Sequence, residues 1–141
     1  MLQVKAEVIQ LTKITKDIFC LRLLSPDISK LAQPGQFVHL KCGEDKNFIL
    51  RRPFSIHRIA GGSFELLFQV VGKGTAWLSR VKPHTGLDIL GPIGRGFMML
   101  EDLKTALIVA GGIGIAPLFF LADELIHQRT KLFTVMGAFD K

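Results

Sequence analysis

With 141 residues, 48% of them hydrophobic, the chain is the size of one ordinary domain and has the apolar side chains for a real core, which argues against disorder. Its 18 basic and 12 acidic residues give a formal charge of +6, and no five like charges run together. That balance suits anionic small ligands or an acidic partner protein; no recognition-helix, zinc or RNA-binding signature points to nucleic acid.

Cys20 and Cys42 are the only cysteines, too few for a four-cysteine zinc or iron–sulfur site, and they read as buried or free thiols. The four histidines, His39, His57, His84 and His127, have no metal-ligand spacing, so no metal site is expected. Met1-Leu2-Gln3-Val4-Lys5 lacks the build of a signal peptide. Residues 106–115 are too short to span a membrane and hold three glycines. A cytoplasmic protein without membrane insertion is expected.

In chain order, residues 4–11 read as a strand with Val4, Ala6, Val8 and Gln10 on one side. Residues 18–24 are a second strand, followed by turn chemistry at Ser25-Pro26-Asp27. After the Pro34-Gly35 turn comes a third strand over 36–42, then a polar loop over 43–47. Residues 54–59 and 64–71 pair as a hairpin across Ala60-Gly61-Gly62-Ser63, and 86–90 form a sixth short strand. A helix capped by Thr75 carries Ala76, Trp77, Leu78 and Val81 and stops at Pro83. Six short strands joined by turns predict an antiparallel barrel or sandwich.

Near residue 100 the pattern changes. Residues 105–110 are a buried-strand run, Gly111-Gly112-Ile113-Gly114 a glycine turn, and Pro117 sits at the first helical position. Leu118, Leu121, Ala122 and Leu125 keep helical spacing to about Gln128, and 132–137 form another strand. This is a β-α-β unit, and alone it cannot bury both faces of a parallel sheet. A truncated or incomplete nucleotide domain, or one completed by another chain, is expected.

Four stretches carry chemistry. In Arg51-Arg52-Pro53-Phe54-Ser55-Ile56, an arginine fork suits phosphate oxygens, Pro53 fixes the backbone, and a ring and a hydroxyl follow; an outward Arg and inward Phe on a plain strand would give the same residues. Gly72-Lys73-Gly74-Thr75 opens a helix, where free N–H groups bind anions or a threonine simply caps. Gly91-Pro92-Ile93-Gly94-Arg95-Gly96-Phe97 reads as an inter-domain connection or a ligand rim. Gly111-Gly112-Ile113-Gly114-Ile115-Ala116-Pro117 follows a strand and opens a helix, the context of a dinucleotide-binding turn, with Pro117 in place of the last glycine.

In this order the motifs resemble the ferredoxin–NADP reductase superfamily, whose members join an antiparallel FAD-binding barrel to an NAD(P)-binding α/β domain. Arg52-Pro53-Phe54-Ser55 matches its R-x-[YF]-[ST] motif, Gly74-Thr75 its flavin-phosphate helix start, and Gly111 to Pro117 its G-G-x-G-x-x-P turn. Within it the wording is most similar to the dihydroorotate dehydrogenase B electron-transfer subunit type, of pyrimidine biosynthesis, and to related hydrogenase or sulfide dehydrogenase subunits. The resemblance implies a six-stranded barrel over residues 1–99 and the first β-α-β of an incomplete NAD(P)-binding domain over 102–141.

It further implies an FAD-dependent NAD(P)H oxidoreductase, or its electron-transfer subunit, transferring electrons between NAD(P)H and a partner, a catalytic or electron-accepting protein subunit. Arg52 would grip the FAD pyrophosphate together with Gly74 and Thr75, and Phe54 would pack on the flavin–ribityl part. The Ser55 hydroxyl, near flavin N5, is the catalytic candidate. Gln69, Val70 and Val71 would line the adenine or ribityl side through backbone groups. Gly111, Gly112, Gly114 and Pro117 would admit NAD(P)H. Arg51 is expected to face solvent. A [2Fe–2S] centre has no support, because the subfamily's C-terminal cysteine cluster is missing. The alternatives are a non-catalytic flavin-binding fragment or assembly module, or part of a ferredoxin or flavodoxin–NADP reductase.

Overall fold

The computed structural model describes residues 1–43 and 50–138. Six strands, β1 (Leu2–Lys13), β2 (Ile18–Leu24), β3 (Phe37–Leu40), β4 (Arg52–Ala60), β5 (Ser63–Gln69) and β6 (Gly86–Ile93), close into a barrel in the order β1-β2-β5-β4-β3-β6. Every pairing around it is antiparallel. Closure leaves no unpaired edge and surrounds one apolar core: Leu21, Leu23, Val38, Ile56, Phe64 and Leu66 are all 0% exposed.

Of three register slips in the barrel, one lies between β3 and β6 at Phe37 and His39, and the other two break the alternation that the sequence pattern assumed. Between Val8 and Gln10 the register against β2 slips by one residue. Gln10 is therefore exposed and does not share the inward side with Val4, Ala6 and Val8; Leu11 packs on the core instead. A second slip, between Ile56 and Arg58 in β4, leaves His57 as the extra residue opposite β5. The inward series then reads Phe54, Ile56, Ile59.

Two short helices close off the barrel. Ser25-Pro26-Asp27 is not a plain turn but the start of α1 (Pro26–Leu31): the Ser25 hydroxyl accepts from the Ile28 amide at 3.4 Å, Pro26 takes the first helical positions, and Ile28 is fully buried. Six residues are too few to show a helical period, so only the cap chemistry signalled it. In α2 (Lys73–Leu78) the N-cap is Gly72, and Thr75 lies one turn in. Its Oγ1 accepts from the Val71 and Gly72 amides at 3.0 and 3.2 Å, holding the turn from inside the helix. Leu78 is buried, with Trp77 and Val81 packed beside it on the barrel core.

The Pro34–Gly35 turn packs against the chain leaving β6. Gly35 has φ +89, and a Cβ there would meet the Phe97 ring at 2.9 Å, so the site demands glycine. Phe97 N donates to the Pro34 carbonyl at 2.8 Å, and Gln36 Nε2 to the Gly94 carbonyl at 2.9 Å. Gly91 to Ile93 complete β6, so the glycine-rich stretch is a strand end and an anchored connection. Residues 44–47 of the expected polar loop lie outside the described residues.

The second unit is β7 (Thr105–Gly111), a 3₁₀ turn over Gly112–Ile115, α3 (Ala116–His127) and β8 (Lys131–Gly137). β7 and β8 pair in parallel from Thr105↔Lys131 to Gly111↔Gly137. α3 lies between this sheet and β4, which it touches along the barrel wall. It covers the side of β7 that holds Ile108 and Ala110, both 8% exposed; Leu107 and Val109 on the other side are 62% and 65% exposed. One crossover helix covers one face of a parallel sheet, and here the other face is bare.

Candidate functional site

The two arginines at the start of β4 do different work. Arg51 does not face solvent freely: its guanidinium holds the Asp88 carboxylate at 2.6 Å and the Asp88 carbonyl at 3.0 Å, tying the approach to β4 onto β6. Burial raises the Asp88 carboxyl, but Arg51, Gln3 and Lys41 outweigh it and hold the carboxyl below its ordinary value. Arg52 is exposed, with no ion pair among the described residues. Its side chain runs along the start of α2, where a Cβ built on Gly74 would lie 3.6 Å from Arg52 Nε and 3.4 Å from Cys42 Cβ.

The amides of Lys73, Gly74 and Thr75 lack intrahelical acceptors, since the first bond of α2 is Ala76 N to Gly72 O at 2.9 Å. A guanidinium without an ion pair among the described residues thus lies beside the first-turn amides of α2, with Gly74 itself buried beneath it; cation and N–H donors together are groups suited to an anion. The Thr75 hydroxyl is engaged in its own turn, donating to the Gly72 carbonyl at 3.1 Å, so its free group is the amide.

Along β4, Pro53 is exposed, Phe54 points inward and Ser55 outward. Phe54 is only 8% exposed and meets Phe68 edge-on, with ring centroids 5.8 Å apart. The ring expected to lie flat on a ligand is part of the barrel core, because Phe54 pairs with the inward Val38. Ser55 is half-buried, opposite Phe37, and its hydroxyl has no hydrogen-bond partner among the described residues.

At the end of β5, Gln69 donates through Nε2 to the Asp17 carboxylate, and just after it the Val70 amide donates to the Asp17 carbonyl at 2.8 Å. The Val71 amide is held by Thr75. Both valine amides are therefore occupied, and a backbone contact here would run through carbonyl oxygens. Val71 itself is 81% exposed.

At the glycine turn, Gly112 has φ +51, and Cβ atoms built on Gly111, Gly112 or Gly114 would meet nothing within 4 Å. The turn is bare backbone open to the surface, as close approach of a ligand requires. Pro117 is half-buried in the first turn of α3. A separate groove of about 590 Å³, lined by Gln3, Lys5, Lys41, Trp77 and Asp88 among others, touches none of these residues.

Two residues that the motifs did not single out join the halves. His57 Nδ1 is 2.8 Å from the Ala116 carbonyl and its ring 4.9 Å from that of Phe119; Arg58 stands 5.5 Å over the same Phe119 ring, with its Nε 3.9 Å from Asp123. Apolar Phe54, Ile56 and Ile59 spaced two and then three apart were the signal of a bulge there.

A closed antiparallel barrel followed by a parallel β-α-β unit with a glycine turn is the architecture of the ferredoxin–NADP reductase superfamily, and the chain has that fold. Solved structures agree: an NADH-dependent reduced ferredoxin–NADP oxidoreductase matches with TM-score 0.87 and 33% identity over 98% of this chain and 50% of its own. Phthalate dioxygenase reductase matches in fold with TM-score 0.78 at 19% identity, over 98% of this chain and 44% of its own.

Among curated proteins, the chain is a relative of the electron transfer subunits of dihydroorotate dehydrogenase B (NAD(+)). It is 43% identical over 138 residues to that of Desulforamulus reducens, covering 96% of this chain and 53% of the relative. For Fusobacterium nucleatum the figures are 34% over 129 residues, 89% and 50%. The chain thus spans about half the length of the curated relatives it matches. No family model matches it. Among the described residues, no helix is long and apolar enough to cross a membrane.

Proposed function

We propose that the chain is an FAD-binding oxidoreductase component that transfers electrons between NAD(P)H and a partner protein, a catalytic or electron-accepting subunit. The observation that carries this reading is the meeting of Arg52, which has no ion pair among the described residues, with the first turn of α2 at the buried Gly74, on the strand that also presents the Ser55 hydroxyl, which has no hydrogen-bond partner among the described residues. Flavin supplies the ability to accept a hydride and release electrons singly. Arg52 and the Gly74 and Thr75 amides hold the pyrophosphate. Ser55 offers its hydroxyl to a ring nitrogen. Pro53 stiffens the strand between them, and Phe54 backs it from the core. The carbonyls of Gln69, Val70 and Val71 border the opposite side.

Gly111, Gly112, Gly114 and Pro117 form the turn that admits the nicotinamide nucleotide. We assign residues 1–99 to the flavin domain and 102–141 to the nucleotide domain, in a protein of the reducing cytoplasm, which suits two free thiols. The relatives' name points to electrons released by dihydroorotate oxidation and accepted by NAD(+). The test is incubation of the full chain with FAD, followed by gel filtration. A yellow protein with one flavin per chain supports the reading; a protein that stays colourless overturns it.

A second reading, an assembly module that docks through its sheet, is favoured by the bare apolar side of β7 and β8, where Leu107, Val109 and Val135 are 62%, 65% and 55% exposed. FAD-loaded chain that cannot reduce an artificial acceptor with NADH or NADPH, yet co-purifies with a partner subunit, would favour it. Turnover by the isolated chain would reject it.

A further inference from the structure

We propose that His57 is a positioning residue: from the bulge in β4 it holds the carbonyl of Ala116, and so fixes the glycine turn relative to the strand that carries Arg52 and Ser55. Three observations meet here. The β4–β5 register slips between Ile56 and Arg58, making His57 the extra residue. An extra residue turns two consecutive side chains to one side, which a regular strand cannot do. His57 and Arg58 consequently both face α3 and share the ring of Phe119, at 4.9 and 5.5 Å.

The hydrogen bond has one sense. The Ala116 carbonyl can only accept, so His57 Nδ1 carries the proton at 2.8 Å. Ala116 is the first residue of α3 and directly follows the 3₁₀ turn over Gly112–Ile115. His57 lies two residues beyond Ser55 on the same rigid strand. One side chain therefore spans from the strand of the flavin contact to the turn of the nucleotide contact. Arg58 adds a looser tie: its Nε is buried without a hydrogen-bond partner, and Asp123 stands 3.9 Å away.

The consequence for chemistry rests on the flavin reading above. Hydride transfer needs donor and acceptor held at near-contact distance, and a displacement of about 1 Å costs on the order of 100-fold in rate. A strand-to-turn hydrogen bond beside both contacts is suited to setting that distance.

Two variants separate the bond from the packing. His57→Phe keeps a ring against Phe119 and removes the donor. His57→Asn removes the ring and keeps an N–H donor close to the position of Nδ1. The first readout is backbone hydrogen exchange of the full chain without flavin. His57→Phe is expected to speed exchange over residues 111–118 by about 3- to 10-fold, the loss of one ordinary hydrogen bond, with β1, β2 and β5 and the melting temperature unchanged. His57→Asn should restore most of the protection.

The second readout is FAD affinity together with the rate of flavin reduction at saturating NADH. His57→Phe should leave affinity unchanged and slow reduction about 10-fold or more. Unaltered exchange over 111–118 in His57→Phe overturns the proposal, as does a uniform rise across the barrel with a lowered melting temperature. Failure of the wild-type chain to bind FAD overturns the flavin reading instead, and the exchange comparison still decides the role of His57.

Discussion

Arg52→Ala is the perturbation that best separates the roles of two adjacent arginines. Arg52 makes no ion pair among the described residues, so truncating it orphans no protein group and should leave folding stability within about 0.5 kcal/mol of wild type. Its contribution should appear only with ligand. A hydrogen bond to a charged group contributes about 1.5–3 kcal/mol, and an exposed guanidinium belongs at the lower end. That corresponds to an FAD dissociation constant raised roughly 10- to 30-fold, up to about 150-fold at the top of the range. Arg51→Ala is the control. It breaks the 2.6 Å contact to Asp88 and should lower the melting temperature while changing flavin affinity little. The assay is quenching of flavin fluorescence on titration with each variant, beside thermal melts. Unchanged affinity in Arg52→Ala, or a larger loss of affinity in Arg51→Ala than in Arg52→Ala, would refute the assignment.

The Asp88 carboxyl lies below its ordinary 3.8 in the folded chain, so its contribution is present above that value and fades as pH falls through the folded value. Asp88→Asn should cost up to about 1 kcal/mol at neutral pH, limited because the pair is partly exposed, and melts taken at successively lower pH should show the gap closing. Burial pushes the Cys42 thiol up to about 11 despite the neighbouring Arg52. It should resist maleimide in the native protein at pH 8 and react on unfolding in urea, as mass spectrometry would report. Leu66, fully buried, should cost about 2–5 kcal/mol as Leu66→Ala in denaturant titrations, whereas Met98→Ala, at 85% exposure, should be nearly neutral.

The sequence by itself determined the order of elements and the chemistry available to them. Alternation marked six strands, glycine and proline marked the turns between them, and a change of period near residue 100 marked a second unit. These are local signals, written in nearest neighbours and in spacings of two and about three and a half. The fork of Arg52 and the bare glycine backbone at 111–114 are legible for the same reason: their use depends on residue type and on flanking elements. The short helix over residues 26–31 escaped because one and a half turns leave no period to read.

Only the tertiary structure decided which partner each side chain meets. Phe54 lies in the core, not on a surface, because β3 brings Val38 opposite it. The amides of Val70 and Val71 are spent on Asp17 and Thr75 before any ligand arrives. Arg51 was separated from Arg52 by an aspartate 37 residues away, a distance that no window of sequence spans. His57 acquired its role from a one-residue slip against β5, which turned it toward a helix that begins 59 residues later. Register and long-range contact arise when the barrel closes, and closure is a property of the whole chain.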